Sequence, residues 1–147
     1  MDTVTHSVDK LAPQQLLDRL GSARVGRLAF SHRALPAVLA MNYIVDGREL
    51  VLQTAVGPAL AAAQGRGSIV AFEVDEIDPK TNSGWSVVVT GHLREVTEQS
   101  RIGRYTRFPA FPRDARLRHF LVIAPALVSG RWFPLTATVE AAKAATG

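Results

Sequence analysis

Cysteine is absent from this 147-residue chain, which excludes a disulfide framework, a thiolate metal site and a cysteine nucleophile. Long apolar runs are absent as well. The longest nearly continuous one, Phe120 to Val128, falls far short of the roughly 20 residues a bilayer requires. Met1 to Lys10 contains two aspartates and no apolar core of a signal peptide. A cytoplasmic protein with no membrane partner is therefore expected. Histidines number four, and His6, His32, His92 and His119 include no pair at metal-ligand spacing, so no metal is expected. Ser129 has neither a nucleophile-elbow setting nor a catalytic carboxylate nearby, which removes a Ser/His/Asp hydrolase as a reading.

What is present is a hydrophobic fraction of 47%, enough at this length for one domain spanning residues 1–147 to bury its own core. Cations exceed anions, giving a formal charge of +4 and a pI near 10.1. Six of the fourteen arginines lie between Arg101 and Arg118. The others are scattered through strand-like segments without the aromatic interleaving of an RNA-binding sheet, so a nucleic-acid partner is not expected.

Leu16, Leu17 and Leu20 share a helical face after Pro13 and before Gly21, predicting a helix over about 13–20. Arg24 to Ser31, Pro36 to Val45 and Arg48 to Thr54 are rich in Val, Leu, Ile and aromatic residues and read as strands. Asp46-Gly47 between the last two predicts a type I' hairpin turn. Pro58 to Gln64, bounded by Gly57 and Gly65, reads as a short Ala-rich helix. Ser68 to Asp75 and Gly84 to Val96 follow as strands, with Glu76 to Ser83 a polar loop and Gly91 a bend. Thr97 to Arg107 is predicted helical, Phe108 to Pro112 irregular, and His119 to Val128 a strand that Trp132 and Phe133 extend. Residues 136–147 read as a helix or a tail. Six strands with short turns predict an antiparallel β-barrel with peripheral helices.

Four segments carry candidate chemistry. Thr54 ends a strand that passes through Gly57 into a helix, a setting that suits a phosphate, although by itself this segment reads more ordinarily as an unliganded capped helix. Trp85, Val87 and Val89 alternate with Ser86, Val88 and Thr90, so Trp85 either borders a planar cofactor or closes the core. Arg131 and Trp132 offer a guanidinium beside an indole, for a ligand or for surface packing. Arg101, Arg104 and Arg107 form a stripe on one helical face, a solvated surface or an anion contact. Glu73 and Asp75 lie two apart on one strand face, where a paired carboxylate site competes with an ordinary salt bridge.

The ordered blocks Val25-Gly26-Arg27-Leu28-Ala29-Phe30, Pro36 through Met41-Asn42-Tyr43, Val70 to Asp75, Gly84 to Gly91, Ile123-Ala124-Pro125 and Val128-Ser129-Gly130-Arg131 resemble the pyridoxamine 5'-phosphate oxidase-like proteins, nearest their nitroimidazole-resistance branch. The resemblance covers roughly Leu16 to Trp132. It implies a six-stranded split β-barrel of the FMN-binding type, built as a homodimer with FMN between the subunits and a small-molecule substrate. The flavin ring would lie along Met41, Asn42 and Tyr43 near Trp85 and Ser86. Its phosphate would sit near Thr54, Gly57 and the following helix, with Arg131 and Trp132 supplied by the second subunit. Such a protein is expected to be an FMN-dependent oxidoreductase, with no catalytic residue of its own identified. Relatives carry Arg before the Thr and Lys before the helical Leu, where this chain has Gln53 and Ala59, with Arg27 or Arg66 as substitutes. A deazaflavin- or haem-binding member, or a non-catalytic ligand-sequestering dimer, is the alternative.

Overall fold

Alternation of apolar and polar side chains governs the middle of the chain. In the computed structural model, which describes residues 13–65 and 68–133, it produces six strands closed into a barrel. These are β1 (Val25–His32), β2 (Leu35–Asp46), β3 (Glu49–Thr54), β4 (Ser68–Asp78), β5 (Ser83–Glu95) and β6 (His119–Phe133), ordered β1-β2-β3-β6-β5-β4. Every pairing is antiparallel. Three helices accompany them among the described residues: α1 (Pro13–Ser22), α2 (Pro58–Gln64) and α3 (Gln99–Thr106). Residues 1–10, Arg66 and the expected tail over 136–147 lie outside the described residues.

Several boundaries differ from expectation for local reasons. Ile77 pairs with Gly84 and Asp78 with Ser83, so the loop shrinks to residues 79–82. The Asp78 side chain accepts from the Lys80 amide at 2.9 Å, and Asn82 takes a left-handed φ of 55°. Strand ends that are wet on both faces carry polar sequences that resemble loops. The β2–β3 turn centres on Gly47-Arg48, since Asp46 pairs with Glu49. Only Gly47 there has positive φ, 62°. The turn with two consecutive left-handed residues, as type I' requires, is Arg33-Ala34 (φ 52° and 64°) between β1 and β2. Leu17 faces solvent while Leu20 is buried and Leu16 half-buried.

The barrel interior is filled by Leu28, Phe30, Tyr43, Leu52, Phe72, Val74, Trp85, Val87, Val89, Leu93, Leu121 and Ile123, joined by Leu20 of α1 and Ala59, Leu60 and Ala63 of α2. A second cluster lies on the outer side of β3 and β6, where Val51, Phe120 and Val122 meet Tyr105 of α3 and Phe111. Those strands are thus buried on both faces, which explains the unbroken run Phe120 to Ile123. Gly91 marks a bulge: Thr90 pairs with Leu127 and Gly91 with Pro125, leaving Ala126 as the extra residue. A Cβ at Gly91 would lie 2.0 Å from the Ala124 carbonyl oxygen.

The barrel is also split. β3 pairs only with residues 43–46 of β2 and 119–123 of β6. On their β3 sides, residues 35–42 and 124–133 therefore run past the end of the shorter strand. Large apolar side chains are exposed along both overhangs, with Leu35 69%, Val38 65% and Leu127 63% exposed.

Candidate functional site

The expected cofactor residues separate by strand parity into an inner and an outer set. Met41, Tyr43 and Trp85 point inward and are buried. Tyr43 donates its hydroxyl to the Leu20 carbonyl at 2.5 Å, and burial pushes its pKa up to about 12. Trp85 pairs across strands with Trp132 at the end of the barrel. The Arg19 guanidinium of α1 lies 5.4 Å from each indole centroid, a double cation–π contact. The Trp85 indole nitrogen is buried with no acceptor among the described residues.

Asn42, Ser86 and Arg131 occupy the outer side. Ser86 stands between Asp75 of β4 and Arg131 of β6. Its hydroxyl donates to Glu73 Oε2 at 2.8 Å. Arg27 of β1 approaches Glu73 at 3.8 Å and Asp75 at 3.6 Å, so the two carboxylates form a bridged cluster and Arg27 is committed to it. Burial, reinforced by the neighbouring Asp75, raises the Glu73 pKa above the usual carboxylate range, against the Ser86 hydrogen bond and the Arg27 charge. A carboxyl that retains its proton more readily, relayed through a hydroxyl, can hold or deliver a proton at this surface.

At the end of β3, Thr54 is buried and its hydroxyl bonds the adjacent Ala55 carbonyl at 3.2 Å. Gly57 has extended backbone and caps α2 without a side-chain bond. The first amide to bond back within α2 is that of Ala61, to the Gly57 carbonyl at 3.0 Å. Gln53 and Ala59, where the resemblance led to an expectation of cations, have structural roles here. Ala59 is a core side chain, and Gln53 Nε2 donates to the carbonyls of Pro112 at 2.9 Å and Leu117 at 3.1 Å.

Gln53 also lines a cleft of about 590 Å³ walled by Ile102, Thr106, Arg107, Arg113, Leu117, Arg118 and Phe120 among others. Of the arginine stripe on α3, Arg104 bonds Asp46 at 2.8 Å and Arg101 bonds Glu49 at 3.2 Å. Both also donate to the Tyr105 hydroxyl. The stripe is accordingly neutralised at two of its three positions, and Arg107 turns to the cleft. Sequence reading missed Arg19 between the tryptophans and the cleft around Gln53. The only signal for the latter was the density of arginines from Arg101 to Arg118.

The sequence profile of the family described as pyridoxamine 5'-phosphate oxidase matches residues 12–132. An uncharacterised protein of Mycobacterium tuberculosis is 34% identical over 127 residues, covering 84% of each chain. Among solved structures, the FAD binding protein from Mycobacterium smegmatis is 27% identical with a TM-score of 0.68, covering 85% of this chain and 97% of its own. The FAD and heme binding protein from the same organism shares the fold at 17% identity and a TM-score of 0.60, covering 82% of this chain and 70% of its own.

Proposed function

Because this chain belongs to the pyridoxamine 5'-phosphate oxidase family, we propose that it is a homodimeric, FMN-dependent oxidoreductase that passes hydride to a small acceptor. The observation that carries this reading is its likeness, over 85% of the chain, to a solved protein named for binding FAD. Two features of the barrel suit it. Apolar side chains exposed along the overhanging edges of β2 and β6 supply a surface that a second copy would bury. The outer polar cluster of Arg27, Glu73, Asp75 and Ser86, with Arg131 paired beside Ser86, supplies the few placed donors and acceptors that a planar ligand needs for orientation.

Bound flavin supplies the hydride or single-electron chemistry itself. In this reading Asn42, Ser86 and Arg131 contact the cofactor from exposed or half-buried positions. Trp132, at 37% exposure, offers an indole surface, and Thr54 and Gly57 shape the strand end. Met41, Tyr43 and Trp85 act from within, fixing the backbone that carries the outer set. Glu73, whose pKa burial raises, accepts a hydrogen bond from the Ser86 hydroxyl beside the Arg27 guanidinium. The ring-binding part thus fits the residues present, whereas Gln53 and Ala59 supply no cation for an anionic tail.

Visible spectra of the purified protein and titration with FMN and FAD test the proposal directly. Saturable binding followed by turnover of a reduced nicotinamide with an electron acceptor is expected, with sedimentation as a dimer. Absence of binding to either flavin overturns it. A second reading, a sequestering dimer without turnover, is favoured by Gln53 and Ala59 and would show ligand binding with no catalysis. A deazaflavin or haem in the same place would be recognised by its own absorption band.

A further inference from the structure

We propose that the cleft between α3, the 107–118 segment and the outer side of β3 binds a phosphorylated small molecule that also carries an O–H or N–H donor. At about 590 Å³ the cleft lies within the usual range for small-ligand sites. Ile102, Leu117 and Phe120 give it an apolar lining, and Arg107, Arg113 and Arg118 give it charge. Among the described residues these three arginines have no carboxylate within salt-bridge distance, whereas Arg101, Arg104 and Arg116 are all paired. The one acidic wall residue, Asp114, is held by Arg116 at 2.7 Å, and that hydrogen bonding lowers its pKa to about 2. Three arginines with no carboxylate partner among the described residues therefore line the cleft, and guanidinium is well matched to phosphate oxygens.

The second requirement comes from Gln53, which is only 6% exposed. Its Nε2 is committed to the carbonyls of Pro112 and Leu117. Reversing the amide would set Oε1 against two carbonyl oxygens, so its orientation follows from the bonds. Oε1 is then a buried acceptor with no donor among the described residues, and such atoms are ordinarily satisfied. Inorganic phosphate, whose only donors are the P–OH groups of the anion that the arginines would hold, has no separate donor to set on this oxygen. A phosphomonoester bearing hydroxyl or amide hydrogens answers both the arginines and Oε1.

That chemistry has two sources, a separate phosphorylated metabolite or the phosphorylated ribityl tail of the flavin, and only the second rests on the function proposed above. Calorimetric titrations with ribose 5-phosphate, inorganic phosphate, FMN and riboflavin separate them. The parent protein is compared with the Arg113→Gln/Arg118→Gln double variant, whose exposed positions allow folding to be verified by its melting curve. Ribose 5-phosphate or FMN is expected to bind at least about tenfold tighter than inorganic phosphate, and to lose roughly tenfold per removed arginine. If FMN exceeds riboflavin and the double variant erases that difference, the flavin tail is the ligand. If ribose 5-phosphate binds undisturbed by saturating riboflavin, or binds when no flavin does, the ligand is separate. The proposal is overturned if the double variant leaves both affinities unchanged, or if inorganic phosphate binds as tightly as the phosphomonoesters.

Discussion

The hydroxyl of Tyr43 donates to the backbone carbonyl of Leu20 at 2.5 Å, across 23 positions of sequence. It ties the end of α1 to β2 inside the barrel. Tyr43→Phe keeps the ring and its edge contact with Phe72 but leaves that carbonyl without this donor. A loss of about 1 kcal/mol is expected in chemical denaturation. The pH profile should also change. Burial raises the folded-state pKa to about 12, so this stability is fully present below the unfolded value near 10 and is lost as pH rises through 12. Tyr43→Phe should lack that alkaline loss, and equal alkaline sensitivity in both proteins would contradict the assignment.

Asp46 predicts the opposite limb. The Tyr105 hydroxyl donates to it at 2.5 Å, and this bond together with Arg104 and Arg101 lowers its pKa. The resulting stability is present above the unfolded carboxylate value of about 4 and disappears as pH falls through the depressed folded value. Melting temperatures of the parent and Asp46→Asn should therefore differ at pH 6 and converge in strong acid.

Glu73 has its pKa raised, first by burial and then by Asp75. For this group stability declines as pH climbs from the unfolded value through the higher folded one. Glu73→Gln should flatten that decline, which a pH series of denaturation midpoints between 3 and 8 would register. In turnover assays, the same substitution should remove any ionisation above the ordinary carboxylate range from the rate profile.

Gly91 tests the bulge. Because a methyl group there would collide with the Ala124 carbonyl oxygen at 2.0 Å, backbone rather than a flexible side chain must shift. Gly91→Ala is expected to cost about 1–3 kcal/mol, whereas alanine at Gly21, which has nothing within 4 Å of its Cβ position, should cost little. Parallel thermal melts would show whether the two differ.

The only two tryptophans both flank Arg19, so intrinsic fluorescence reports this junction alone. Arg19→Met should shift the emission and lower stability by about 0.5–1 kcal/mol. An unchanged emission spectrum would argue against the contact.

Barrel class and facing were legible because they depend on a period of two. Trp85, Val87 and Val89 turn inward and Ser86, Val88 and Thr90 outward, as alternation demands. Turn placement was less so. Asp46-Gly47 has the composition of a type I' turn, yet the ladder places Gly47-Arg48 at its centre, and Arg33-Ala34 adopts left-handed geometry without Gly or Asn. Strand pairing imposed that geometry over local preference.

The chain's residue order was enough to set which segments become strands, which side chains enter the barrel and which family it belongs to, because periodicity and ordered motifs are local properties. Partnerships between distant residues required the closed barrel. Asp46 and Glu49 neutralise Arg104 and Arg101 of α3, and Gln53 is tied to Pro112 and Leu117. These contacts arise where α3 and the 107–118 segment fold over the outer side of β3, and charge or hydrogen-bond satisfaction depends on distance in space rather than along the chain.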